Sequence, residues 1–202
     1  MTKRQENALK TKQKLIDTTL KLLEEKSFAE LFVEDITQAC GVAKGTFYTH
    51  FKHKEDICNE ICYSLFKKIE LNMQNMKNKS FIERMRYYFE QFNREVERYG
   101  IHICREWVRD VIDPDITPEN IDRQKWHYDI HMLQNILQTA VKEKELKSDT
   151  PVELLTHIII TKLYGMMICW CMSDNIFVPS KWSNLFFNTA VKPILQNYVV
   201  TK

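Results

Sequence analysis

The chain is short of turn-formers: among 202 residues, glycine occurs 4 times and proline 5 times. A β-sandwich or barrel needs a turn every ~8–12 residues, so this scarcity excludes those folds and leaves long helices with short joints. An excess of one charge is also lacking, since 29 Lys and Arg face 27 Asp and Glu, a formal net charge of +2. Bulk charge therefore argues neither for nor against nucleic acid, and any basic surface must be local. No apolar run follows the opening Met1-Thr2-Lys3-Arg4-Gln5-Glu6, so no secretory signal is expected. The longest apolar stretch, Leu163 to Met172, is far below the ~20 residues that cross a bilayer. A cytoplasmic protein with no membrane partner is the expectation. Internal repeats, low-complexity segments and a Gly-rich nucleophile elbow are missing too, which sets aside a hydrolase and points away from an enzyme. The 6 cysteines (Cys40, Cys58, Cys62, Cys104, Cys169 and Cys171) would suggest a disulfide framework only in a short secreted chain, so reduced thiols are expected.

What is present is an ordinary globular balance, 44% apolar and 28% charged residues, arranged at helical spacing. Leu15, Ile16, Leu20, Leu22 and Leu23 predict a helix over 12–26. Short helices fit Val33 to Cys40 and Lys44 to about Phe51, joined through Gly41-Val42. Ile57, Ile61, Leu65, Ile69 and Met73 mark a longer helix from 54 to 77. Further helices are expected at 81–100, at 101–112, from Thr117-Pro118 to Leu146, from Thr150-Pro151-Val152-Glu153 onward, and from Pro179 to Val200 with a kink at Pro193. The helix after Pro151 is apolar nearly all round from Ile158 to Met172, a pattern that calls for burial on both sides.

Residues 33–57, VEDITQACGVAKGTFYTHFKHKEDI, carry the strongest signal. Two short helices about a glycine corner form a helix-turn-helix pattern. A helix that enters the major groove must be slim and basic at its edges. Residues 41–54 meet that demand with Lys44, Lys52 and Lys54 and with no acid among them. Gly45 and Thr46 keep the leading turn thin. Phe47 and Phe51, four apart, are expected to face the core, which leaves Thr46, Tyr48, Thr49 and His50 outward.

The run Gly41-Val42-Ala43-Lys44-Gly45-Thr46-Phe47-Tyr48-Thr49-His50-Phe51-Lys52, followed by Lys54-Glu55-Asp56-Ile57, resembles the signature of the tetracycline-repressor (TetR/AcrR) family. The specific match covers roughly residues 10–60. The resemblance implies an all-α protein with a DNA-binding domain over 9–69, its helix-turn-helix at about 32–51, and a ligand-binding and dimerisation domain over 70–202. It implies that Lys44, Gly45, Thr46 and Thr49 lie against base edges or nearby backbone, that Tyr48 and His50 touch phosphate and sugar, and that Lys54 meets a phosphate. Departures from the family pattern fall at Leu31-Phe32, where a hydroxyl pair is usual, and at Glu34, Thr37, Ala43 and Ser27. Glu34 would repel phosphate.

Aromatic and methionine side chains gather in the C-terminal part. Tyr88, Phe92, Trp107, Trp126, Met166 and Trp170 read individually as core, and as a group suit an apolar or aromatic small-molecule effector held between helices. Glu106 is a candidate polar anchor beside them. His127 and His131 have the spacing of two zinc ligands but no companion ligand nearby, so a solvated helix face is expected, with neither metal nor cofactor. The leading expectation is a ligand-responsive repressor that binds a double-stranded DNA operator as a homodimer through its last two helices. The alternative is a co-regulator of the same shape that acts through a protein partner without binding DNA.

Overall fold

The computed structural model describes residues 2–26, 28, 30–76, 78–112, 125–173 and 176–201, except the side chains of residues 59, 62–66, 74, 106, 107, 110–112, 125 and 126. The described residues form α1 (Lys3–Leu22), α2 (Val33–Cys40), α3 (Lys44–His50), α4 (Glu55–Asn75), α5 (Phe81–Tyr99), α6 (Ile101–Ile112), α7 (Lys125–Lys142), α8 (Val152–Met172), α9 (Pro179–Phe186) and α10 (Lys192–Gln196). The fold is all-α.

Two apolar cores organise these helices. The first gathers Leu15 and Ile16 of α1, Ile36 and Cys40 of α2, Phe47 of α3, and Ile57 and Ile61 of α4. The second gathers Met85, Tyr88, Phe89 and Phe92 of α5, Leu133 and Leu137 of α7, and Ile159, Ile160 and Leu163 of α8. Helix α4 serves both, since Ile69 and Met73 at its far end belong to the second core. Helix α6 does the same within two residues: Ile103 packs in the first core and Cys104 in the second.

Three local differences from the sequence expectations have physical causes. Helix α1 begins at Lys3 rather than near residue 12, because Thr2 caps it: the Gln5 N–H donates to Thr2 Oγ1 (3.3 Å) and the Thr2 N–H to Gln5 Oε1 (2.8 Å). Residues 2–10 are all exposed, so that segment has no apolar stripe to announce it. Thr150 does not cap α8; its hydroxyl donates to the Lys147 carbonyl oxygen (2.6 Å), and Pro151 occupies the cap position. Pro193 does more than kink the last helix. Without an N–H it cannot bond back one turn, and 187–191 becomes a π-helical turn in which the Lys192 N–H donates to the Phe187 carbonyl. The expected start of α7 at Thr117-Pro118 lies outside the described residues.

Helix α8 is long and apolar enough to cross a membrane by length and composition. Its buried set, which includes Ile159, Ile160, Leu163, Tyr164, Met166, Met167 and Trp170, packs instead in the second core. The chain end is tied back over α7: the Lys147 N–H donates to the Tyr198 carbonyl (2.8 Å) and the Val200 N–H to the Glu145 carbonyl (2.9 Å). Arg84 of α5 pairs side-on with Glu145 at the same place, with Nη1–Oε1 at 3.0 Å and Nη2–Oε2 at 2.5 Å.

Candidate nucleic-acid interface and effector core

Gly41 turns the corner between α2 and α3. Its φ of +68° lies in the left-handed region, where a Cβ would meet the following carbonyl. The Val42 N–H closes the corner on the Thr37 carbonyl (2.9 Å). Helix α3 is anchored by Phe47, which is fully buried, with Phe51 beside it at 5.2 Å between ring centroids. The opposite side carries Lys44, Gly45, Tyr48 and Thr49 into solvent, with Thr46 and His50 half-buried. Tyr48 is 48% exposed although it is a large aromatic. Thr49 donates its hydroxyl proton to the Gly45 carbonyl (2.9 Å) and keeps its lone pairs for a donor from outside.

Three features of this surface were invisible in the spacing. First, the Glu34 carboxylate accepts a hydrogen bond from Lys44 Nζ across the corner, and both groups are exposed. That hydrogen bond holds Glu34 below the usual carboxylate range and Lys44 above the usual lysine range. Second, Phe32 caps α2 without a side-chain acceptor and stands 64% exposed, while the neighbouring Leu31 is fully buried. The Phe32 N–H is satisfied by Asp35 Oδ2 (2.9 Å), so half of the missing cap is recovered. Third, Lys54 turns toward the protein: its ammonium donates to the carbonyls of Phe28 (2.8 Å) and Leu31 (3.0 Å) and lies 4.2 Å from the Phe28 ring centroid.

Of the residues read as an effector site, Tyr88, Phe92, Met166 and Trp170 meet in the second core, all buried. The side chains of Glu106, Trp107 and Trp126 lie outside the described residues. The Tyr88 and Phe92 rings are 6.4 Å apart, and Phe92 is 6.2 Å from the ring of Tyr164. Polar groups are set among them. Tyr164 Oη donates to Oδ2 of the fully buried Asp129 (2.8 Å). Among the described residues, the buried Tyr88 Oη and Asn93 Oδ1 find no hydrogen-bond partner. Burial, with the nearby Asp129 carboxylate, pushes the Tyr88 phenol well above its ordinary value. A separate cavity of about 690 Å³ opens elsewhere, between the ends of α4, α5 and α7, lined by Glu70, Met73, Arg84, Ile136 and Glu143.

Residues 15–61, the corner and both its helices included, match the family model for bacterial regulatory proteins of the tetR family. That segment is therefore a tetR-type domain. Among its tetR-type relatives, the HTH-type transcriptional regulator YerO of Bacillus subtilis is 26% identical over 128 residues, 60% of this chain and 42% of that protein. The chain thus aligns with less than half the length of YerO. The fatty acid metabolism regulator protein of Bacillus subtilis is 26% identical over 173 residues, 79% of this chain and 83% of that protein. In the solved structures, FadR from Bacillus subtilis in complex with stearoyl-CoA shares the tetR-family fold at a TM-score of 0.67 and 19% identity, covering 91% of this chain and 97% of that one.

Asp129, Asn93 and Tyr164 are the buried polar residues beside the second core's aromatics that sequence reading missed. A cluster of aromatics advertises itself, but a single Asp between Tyr128 and Ile130 looks like any surface acid until packing buries it.

Proposed function

We propose that this regulator is a cytoplasmic homodimeric repressor, released from its DNA operator by a mostly apolar or aromatic small molecule. The observation that carries the DNA reading is the α2–Gly41–α3 corner, which buries Phe47 and Phe51 and exposes Lys44, Tyr48 and Thr49 on the opposite side. In this reading residues 9–69 bind DNA and residues 70–202 bind effector and partner subunit. Lys44, Gly45, Thr46 and Thr49 face the groove, while Tyr48 and His50 meet the backbone. Lys54 spends two of its three N–H groups on Phe28 and Leu31, so it offers phosphate a single donor and its charge. Dimerisation is supported by exposed apolar residues at the end of α8, in the joint and on α9: Met172, Ile176, Trp182 and Leu185.

The effector site is placed around Tyr88, Phe92, Met166 and Trp170, with Trp107 and Trp126 as further candidates. The support is a pair of buried polar atoms, Tyr88 Oη and Asn93 Oδ1, without partners among the described residues of the second core. Such atoms are costly unless something pairs with them in another state. The stearoyl-CoA bound by the structural relative FadR has the apolar body this core would accept.

A mobility shift with the DNA immediately upstream of the coding sequence, repeated with stearoyl-CoA, tests both parts. Retardation that stearoyl-CoA or another lipophilic compound reverses is the expected result. No retardation at micromolar protein would favour the second reading, a co-regulator acting through a protein partner, for which the neutralised Lys44 and the exposed Phe32 speak.

A further inference from the structure

We propose that the opening turns of α1, residues 3–11, are a further DNA-contacting element that grips phosphates beyond the end of α3, a role that rests on the DNA reading above. The chain's positive charge is concentrated here. Residues 3–14 hold Lys3, Arg4, Lys10, Lys12 and Lys14 against the single acid Glu6. That is +4 in a chain whose total is +2, so the remaining residues are acidic by two charges. A local excess of this kind attracts a polyanion to a chain whose bulk charge does not.

The segment stands apart from the core it leads into. Residues 2–10 are all exposed, and the buried face of α1 starts only at Leu15 and Ile16. A helix this short and unpacked is marginal in water by itself; the Thr2–Gln5 capping box and the packed turns that follow extend it. Its order buries almost nothing and instead fixes the positions of its cations. Among the described residues, Lys3, Arg4 and Lys10 take part in no ion pair.

The base of the segment is fastened beside α3. Lys12 Nζ pairs with Glu60 Oε1 of α4 (2.8 Å) and lies 5.8 Å from the ring centroid of Phe51, the residue that ends α3. Lys52, which follows Phe51, is exposed, so the acid-free stretch 41–54 and the cations of α1 meet at Phe51. From there the nine residues back to Lys3 run on for about 14 Å at 1.5 Å per residue. That is roughly the rise of four base pairs at 3.4 Å each. Between Lys3 and Lys14 the apolar residues are Ala8 and Leu9 alone, too few for a helix that beds into lipid. The phosphates of a duplex therefore fit this segment better than those of a bilayer.

The test measures binding of the full chain to a labelled upstream duplex across a potassium chloride series. The variant Lys3→Gln, Arg4→Gln, Lys10→Gln alters exposed side chains, so its circular dichroism should match wild type. If each of the three cations meets one phosphate, the plot of log binding constant against log salt should flatten by about 2.7 per bound protomer. The affinity ratio of wild type to variant should then shrink about 40-fold between 50 and 200 mM salt, that slope taken over a fourfold range. A control, Lys142→Gln, Lys144→Gln, Lys162→Gln, removes the same charge from exposed positions in and after α7 and on α8 and should keep the wild-type slope. Flattening by less than about 0.9, one phosphate, or equal flattening in the control, overturns the proposal. So do parallel salt plots joined to a loss of binding to phosphatidylserine vesicles, which would assign the cations to a lipid surface. A wild-type chain that binds no duplex overturns the DNA reading itself, whereas parallel plots from a chain that does bind overturn the role of α1 alone.

Discussion

Glu34→Gln is the sharpest probe of the nucleic-acid face. In the free protein the Glu34 carboxylate accepts from Lys44, and both groups are exposed at the corner between α2 and α3. Lys44 holds Glu34 below the usual carboxylate range, so both partners are charged at neutral pH and the pair presents no net charge to DNA. The variant removes the acid and leaves one uncompensated ammonium on that surface. If it neutralises one phosphate, the plot of log binding constant against log salt should steepen by about 0.9. The advantage of the variant over wild type should then shrink about 3.5-fold between 50 and 200 mM salt, the slope times the logarithm of that fourfold range. Fluorescence anisotropy with a labelled upstream duplex across a potassium chloride series reads this directly. The gain must shrink to the relief of Glu34's own repulsion when Lys44→Ala is added, because no ammonium is then left to release. Parallel salt plots for Glu34→Gln and wild type would refute the reasoning and remove this corner from the DNA face.

Other expected outcomes are simpler to state. Tyr48→Phe should weaken binding to all duplexes alike, and Thr49→Ala should change which duplex variants are preferred, both read by competition in the same assay. Tyr164→Phe takes a hydroxyl donor from the buried Asp129 and should cost about 1–3 kcal/mol in chemical denaturation. Leu31→Ala empties a fully buried position and should cost about 2–5 kcal/mol by the same measurement. Leu185→Arg, on the exposed face of α9, should convert dimers to monomers in sedimentation velocity; a wild-type chain that sediments as a monomer at micromolar concentration would contradict the dimer.

The parts of the fold that could be read in advance are those where one residue dictates a backbone. Gly41 marks the corner, and Phe47 and Phe51 fix which side of α3 faces inward, so α2 and α3 were legible to within a residue. The start of α1 was not, because a solvated helix held by Thr2 and Gln5 has no apolar period. Thr150-Pro151 looked like a cap but sits in a turn closed by the Thr150 hydroxyl on Lys147; the same residue types serve both uses. Residues that act through space were the least legible. Glu34 and Lys44 are ten positions apart in sequence, and neither the pair nor the inward turn of Lys54 follows from any helical period. Asp129 gained its meaning only when Tyr164, 35 residues away, closed on it.

The two carbonyl contacts of Lys54 make α4 a lever with a fastened end. Lys54 stands at the foot of that helix and grips Phe28 and Leu31, the segment that feeds directly into α2. Ile69 and Met73 grip the other end in the second core. A rod of 21 residues is about 31 Å long at 1.5 Å per residue. A tilt of about 5° imposed at the Met73 end therefore swings the Lys54 end through nearly ~3 Å, about the length of one hydrogen bond. Because the ammonium is bonded to the chain before α2, that swing carries the corner and α3 along with it, and in a dimer two such swings add. In the proposed dimer, the spacing between the two copies of α3 would then be set by how a handful of side chains pack at the opposite end of α4.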